Sequence, residues 1–375
     1  MERDESFNDL EALIKELEDS GFEIDVENLE SGRRGHHLTS IIKAVKRGLP
    51  TLYLSMVPDL RGKRRPSIIK VSDGSVIERF MHVKVPPKEY DDIVCPNFLE
   101  LKWAYGCPFN CAYCYLQGTL RLLPTKKKPM IKDAKKVEHH LVGFLKAPLR
   151  EPELLNAGEL CDSLMFEGTI YSNYSITEWV LPLFGDPEIN RVGHKALLVT
   201  KSDKVERLLE RADPKTTVVS FSINTEEVFK AWEKGTAHPC SRIKAARELQ
   251  SAGFEVRVRI DPIIPFPESS WKSEYRKLVD MIFSSLHPSR ITLGTLRGLR
   301  TTIREAKDKS WTRFMESPSK WGLKLRREVR YEIYKVMLDY LSREYGCTDV
   351  ALCKEDVQMW QDLGLDWRDC ECNCV

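Results

Sequence analysis

Three cysteines of this chain stand at C-x3-C-x2-C, in the run Cys107-Pro-Phe-Asn-Cys111-Ala-Tyr-Cys114. Three thiolates so close along the chain can hold three corners of a [4Fe–4S] cluster and leave the fourth iron without a protein ligand, open to a substrate or cofactor. Zinc is the rival metal. A structural zinc site wants four ligands, and no cysteine or histidine follows Cys114 at the usual spacing, while Cys95 would have to reach across the intervening strand. The chain has 11 cysteines in a lopsided distribution: four at 95–114, five at 347–374, and only Cys161 and Cys240 between. Clustered cysteines in an intracellular chain point to metal or redox chemistry rather than to disulfide staples. A second group closes the sequence, Cys370-Glu-Cys372-Asn-Cys374 with Cys353 upstream. Its spacing is compatible with an auxiliary Fe–S cluster, a zinc knuckle, a redox dithiol or a flexible tail.

The elements that must position these thiols follow from hydrophobic periodicity. Over residues 96–297, candidate strands 98–103, 153–160, 195–200, 216–223, 254–261 and 290–295 alternate with helical patterns. The clearest helical stretch, 226–251, is broken in two by Pro239. Six βα repeats predict a parallel sheet with crossover helices, either an incomplete TIM-like barrel or a doubly wound sheet. Polar residues follow the strands one after another: the three cysteines, then Glu159, Cys161 and Ser163, Lys201, Ser222 and Asn224, Asp261, and Arg297. In a parallel α/β architecture the C-terminal strand ends share one mouth, so these residues belong to one site. Residues 1–95 read as a separate α+β unit: a helix carrying Phe7, Leu10, Leu13, Ile14 and Leu17, a second carrying Leu38, Ile41, Ile42 and Val45, then β-rich pieces with a turn at Asp73-Gly74. Residues 298–375 read as a helical extension with a Cys-rich tail.

Lys plus Arg number 58 against 56 Asp plus Glu, a net charge of +2, which excludes a histone-like polycation and is mild for a duplex-DNA binder. Hydrophobic residues make up 42% of the chain, enough for a large core. No apolar run approaches the roughly 18 residues of a membrane span, and the start lacks the apolar stretch of a signal peptide, so a cytoplasmic protein with no membrane partner is expected. Short basic runs at Arg33-Arg34, 61–65 and 126–128 offer either a nucleic-acid face or ordinary solvated loops.

With Tyr113 just before its last cysteine, the C-x3-C-x2-C loop resembles the signature of the radical S-adenosylmethionine superfamily. The stretches CAYCYLQGTL, LCDS, TKSDKVERLL, SFSINTEEV, KGTAHPCSRIKAARELQSAGF and DPIIPFPESSW resemble, more narrowly, spore photoproduct lyases over residues 96–275. That resemblance implies a (β/α)6 partial barrel and a [4Fe–4S] cluster on Cys107, Cys111 and Cys114. It implies S-adenosylmethionine chelated by the open iron and cleaved reductively to a 5′-deoxyadenosyl radical, and a reductant such as ferredoxin or flavodoxin. It also assigns residues. Tyr113 would pack near the adenine, Lys201 would pair with the cofactor carboxylate, and Ser163 and Ser222 would contact the cofactor. Cys161 would return a hydrogen atom to the product radical, with Tyr115 as its relay partner. From the chemistry of a zwitterionic cofactor, Glu159 and Asn224 join the polar set at the mouth. The expected activity is hydrogen-atom abstraction from a nucleic-acid base or nucleoside, in repair or modification. The alternatives are radical modification of a peptide or sugar nucleoside, and a non-catalytic metal-containing nucleic-acid-binding protein. Beyond 295 the resemblance ends, and Cys353, Cys370, Cys372 and Cys374 stand as an auxiliary metal or redox site, with a second Fe–S cluster or zinc as the group they would hold.

Overall fold

The computed structural model describes residues 5–28, 40–320, 322–369 and 371–375. Arg33-Arg34 and Cys370 lie outside the described residues. Twelve strands form one sheet whose spatial order follows the chain. The first five are β1 (Glu23–Asn28), β2 (Ser40–Val45), β3 (Leu52–Pro58), β4 (Arg64–Val71) and β5 (Ile77–Arg79), paired antiparallel. β5 joins antiparallel to β6 (Leu99–Leu101). From there the pairing is parallel through β7 (Leu154–Asn156), β8 (Lys195–Thr200), β9 (Thr217–Ser222), β10 (Glu255–Ile263), β11 (Ile291–Thr295) and β12 (Val350–Leu352).

Each of the six strands expected from the pattern is present. Two expectations need correction. Leu38 lies outside the described residues, and Ile41, Ile42 and Val45 do not form a helix: they belong to β2, in which Ile42 and Ala44 are buried while their neighbours are less so. Three β-branched residues in six, alternating in burial, suit a pleated surface better than a helix face. The C-terminal stretch is helical over Arg327–Tyr345 but also returns to the sheet as β12, whose three apolar residues are too short a run to distinguish from helix by pattern.

Of the six longest helices, all but the first lie between successive parallel strands, where crossovers are required. They are α1 (Glu5–Asp19), with Leu13 and Leu17 buried, then α2 (Ala134–Leu145), α3 (Glu226–Trp232), α4 (Pro239–Ser251), α5 (Trp271–Phe283) and α6 (Arg327–Tyr345). The stretch 226–251 is two helices: α3 already ends at Trp232, and Pro239 opens α4, where its missing N–H is tolerated.

The parallel sheet has two unlike faces. Leu155, Leu198, Phe221, Val258, Ile260 and Leu293 are buried on one. On the other, Leu197, Val199 and Val218 are apolar, but from Ser220 onward the alternate residues are polar: the register sets Ser220 beside Arg257, Ser222 beside Arg259, and Arg259 beside Thr292. A parallel sheet packed on both faces ordinarily reads as continuous apolar runs, so this alternation marks a face that lines something other than core. Part of that face is covered by the end of the chain. Asn373 donates through Nδ2 to Ser220 Oγ at 3.1 Å and Val258 O at 2.9 Å, and Arg257 donates to Asn373 O at 2.9 Å and Val375 O at 2.8 Å. Among the described residues no helix is long and apolar enough to cross a membrane.

Candidate active site

A cavity of about 330 Å³ opens at the C-terminal ends of the parallel strands. The three motif cysteines form one side of it, in the loop after β6. Four devices hold that loop. Gly106 has φ +88°, and a Cβ there would come within 2.2 Å of Lys128 O, so only glycine lets the chain pass. Cys107 N–H donates to Lys127 O at 2.9 Å, and the Lys127 ammonium donates to Phe109 O. Asn110-Cys111 pairs antiparallel with Glu233-Lys234. The Gln117 amide donates to Ala112 O at 2.8 Å and to the carbonyls of Cys111 and Cys114 at 3.3 Å. The backbone is therefore satisfied within the protein and the thiols face the cavity. Cys111 is 5% exposed, and burial, with Glu233 close by, pushes its thiol up to about 12. A metal that takes thiolates fits such a donor set, because it replaces the proton as the partner of a buried sulfur.

Next to the loop stands an ionic group. Lys201 donates through Nζ to Ser222 Oγ at 2.7 Å and to Glu233 Oε1 at 2.8 Å. Glu233 is fully buried, bonded also to Arg242 Nη2 at 2.7 Å and to the Tyr113 hydroxyl. Burial would raise its carboxyl, but Lys201 and Arg242 outweigh it and hold Glu233 at about 2. Asp162 seats the Lys201 turn by accepting from Lys201 N–H and Thr200 Oγ1, both at 2.8 Å. Glu233, Arg242 and Asp162 were not singled out from sequence. Glu233 stands just before the KGTAHPCSR stretch, between two helices, and nothing local marks it as the carboxylate that orients a lysine 32 residues away.

Cys161, Tyr115 and Glu159 also line the cavity. Cys161 is buried, its Sγ 3.4 Å from Ala157 O, and burial pushes its thiol well above the ordinary range, so it is held as S–H. The Tyr115 hydroxyl donates to Glu159 O, and Glu159 Oε1 accepts from Asn156 Nδ2 at 2.9 Å. Ser163 and Asn224 do not reach the cavity. Ser163 Oγ accepts from Val199 N–H at 2.9 Å, while Asn224 donates to Pro262 O at 2.7 Å and accepts from the Tyr275 hydroxyl at 2.9 Å.

The opposite side carries more sulfur. Cys95, Cys353, Cys372 and Cys374 all line the same cavity. Arg259 donates to Cys374 Sγ and Arg297 to Cys353 Sγ, each at 3.2 Å. Contact with the Cys372 thiol, and then with Arg259, holds the Cys374 thiol below its ordinary range. Arg297 is in turn gripped by both Asp261 oxygens, at 2.9 and 3.1 Å, and Gly294 makes room: a Cβ there would lie 2.6 Å from the Asp261 carboxyl. The basic runs are partly engaged within the fold: Arg61 pairs with Asp369, and Arg65 with Glu151 at 2.9 Å.

A parallel α/β sheet with a three-thiol loop after its first parallel strand and a lysine-bearing mouth defines a radical S-adenosylmethionine class of fold and site. Residues 97–295 match the family model described as spore photoproduct lyase, and the chain belongs to that family. It is 29% identical to the spore photoproduct lyase of Bacillus subtilis over 189 residues, 50% of this chain and 51% of that protein. It is 28% identical to that of a Geobacillus species over 176 residues, 47% and 48% of the two chains. The match thus spans about half the length of these relatives. A solved structure of spore photoproduct lyase complexed with dinucleoside spore photoproduct shares the fold at a TM-score of 0.55 and 19% identity, over 68% of this chain and 75% of that one. A variant of that enzyme with bound AdoMet and dinucleoside spore photoproduct gives 0.53 at 19% identity, over 70% and 78%.

Proposed function

We propose that the protein is a radical S-adenosylmethionine enzyme that abstracts a hydrogen atom from a nucleic-acid base or nucleoside, with a pyrimidine photoproduct as its leading substrate. The observation that carries this reading is that the motif thiols, Lys201 and Cys161 all face one cavity. Cys107, Cys111 and Cys114 would hold a [4Fe–4S] cluster, which together with S-adenosylmethionine supplies one-electron cleavage to a 5′-deoxyadenosyl radical.

The rest falls to the chain's own side chains. Lys201, oriented by Ser222 and Glu233, presents a cation for the cofactor carboxylate, and Tyr113, tethered through its hydroxyl to Glu233, offers a ring at the cavity edge. Cys161 keeps its hydrogen because burial disfavours the thiolate, the form required of a donor that returns a hydrogen atom to a carbon radical. Tyr115, held to Glu159 O, stands as the relay partner. Ser163 and Asn224 are assigned the indirect task of fixing the strand ends that carry the contacting groups. The parallel strands are read as a partial barrel, in keeping with the polar inner face, and the electron donor as a ferredoxin or flavodoxin.

A second reading rests on where the family match stops. Arg297, Leu299, Ser319, Leu323 and Lys324 line the cavity from beyond residue 295, which supports the same chemistry on a different base-bearing substrate. The test is anaerobic reconstitution with dithionite and S-adenosylmethionine, offering a dinucleoside spore photoproduct, undamaged nucleosides and RNA in parallel. Formation of 5′-deoxyadenosine with reversal of the photoproduct supports the first reading. Turnover only on an undamaged substrate favours the second, and absence of 5′-deoxyadenosine in every arm refutes both.

A further inference from the structure

We infer that Cys95, Cys353, Cys372 and Cys374 hold a second iron–sulfur cluster, in the cavity wall facing the motif loop. Packing alone does not account for them. A single buried cysteine behaves as a small hydrophobe and needs no further explanation. Here Cys95, Cys372 and Cys374 are 5–6% exposed and pack together with Phe98 and Ala351, and Cys353 joins them on the same cavity surface. They arrive from three distant parts of the chain: the entry to β6, the exit of β12 and the terminal tail.

Charge gives the second, independent observation. Arg259 is 9% exposed, its Nε donates to Ser220 Oγ at 3.2 Å, and its Nη2 points at Cys374 Sγ. Asp261 feels its charge but is gripped by Arg297, and the acidic group that Arg259 itself touches is the Cys374 thiol, at 3.2 Å. Arg297 directs a second N–H to Cys353 Sγ. A centre ligated by four thiolates carries net negative charge, and N–H donors to ligating sulfurs are a regular means of stabilising such centres.

Spacing favours a cluster over a lone ion. A zinc ion needs all four sulfurs at about 2.3 Å from one point. Cys372 and Cys374 touch through their thiols, whereas Cys95 and Cys353 join the same wall from other segments of the chain. In a [4Fe–4S] cluster each thiolate has only to reach its own iron, which suits sulfurs spread along the wall of a cavity.

The inference uses residues separate from the motif loop and is tested apart from cofactor cleavage. Anaerobic reconstitution of the full chain carrying Cys107→Ala, Cys111→Ala and Cys114→Ala should leave about four irons and four sulfides per chain, roughly half the wild-type content. Its visible absorption should bleach with dithionite. The reciprocal Cys95→Ser/Cys353→Ser variant should also lose about half the iron, and the iron that it keeps on the motif loop shows that it has folded. The inference is overturned if the triple variant, with wild-type circular dichroism, takes up no iron, if zinc takes its place, or if Cys95→Ser/Cys353→Ser keeps the full wild-type iron. Failure of the radical reading would appear differently, as full iron content without 5′-deoxyadenosine.

Discussion

On one side of the cavity three thiols fall within eight consecutive residues; on the other, four are drawn from positions 95, 353, 372 and 374. The first group is written in local spacing and held by a glycine turn and one glutamine amide. The second exists only because the sheet places the entry to β6, the exit of β12 and the tail against the same polar face. A short motif can thus survive wide sequence change elsewhere, while a long-range assembly depends on every strand order and register between its parts.

The largest effect should come from the local group. Cys111→Ala removes a motif thiol and should abolish 5′-deoxyadenosine formation under dithionite, with loss of the loop's iron and an unchanged circular dichroism spectrum. Retained activity would sever the loop from the chemistry.

Even the local group leans on tertiary structure, since Glu233 pairs through its backbone with Cys111 and through its side chain with Lys201 and Arg242. Arg242→Met strips a buried carboxylate of one of its cations and should cost about 3–5 kcal/mol in urea denaturation, the range for breaking a buried pair. A loss below about 1 kcal/mol would mean that Lys201 alone suffices.

The same carboxylate sets an acid limb. The folded value of Glu233, about 2, lies below its ordinary 4.5, so its contribution is fully present above about pH 4.5 and is lost as pH falls toward 2. That difference corresponds to about 3 kcal/mol. Glu233→Gln should remove this share of the slope of stability against pH between those limits, measured by urea midpoints. An unaltered slope would show that other carboxylates carry the acid limb.

For the long-range wall, deleting residues 371–375 takes away three of the hydrogen bonds that Arg257 and Arg259 make on the sheet's polar face. It should destabilise the chain by about 2 kcal/mol, the scale of a hydrogen bond to a charged group, while iron on the motif loop persists. Loss of the loop's iron as well would mean that the two walls are not separable.

How much of this was legible follows from the same contrast. The six parallel strands and the motif loop could be read because alternation and C-x3-C-x2-C are local signals. β2 was misread because three β-branched residues in a short run satisfy either period. Ser163 and Asn224 were placed at the mouth by chain position, yet their side chains were already committed to Val199 and to Pro262 and Tyr275. Glu233 and Cys95 were passed over because their partners lie far along the chain. The usable signal was the polar alternation of VRVRID in β10, which places Arg257, Arg259 and Asp261 on one face of a strand inside a parallel sheet.

The smallest effect is expected at Cys240, the second residue of α4, which is exposed and lines neither wall. Cys240→Ser should change stability by less than about 0.5 kcal/mol, as surface substitutions do. It should also leave iron content and 5′-deoxyadenosine formation at wild-type levels. The comparison needs this control because the two walls differ from Cys240 in surroundings and not in residue type. If replacing a solvent-facing thiol lowered iron uptake as much as replacing Cys95, iron would be binding to cysteines at large, and the distinction between a wall assembled by the fold and a scatter of thiols would collapse.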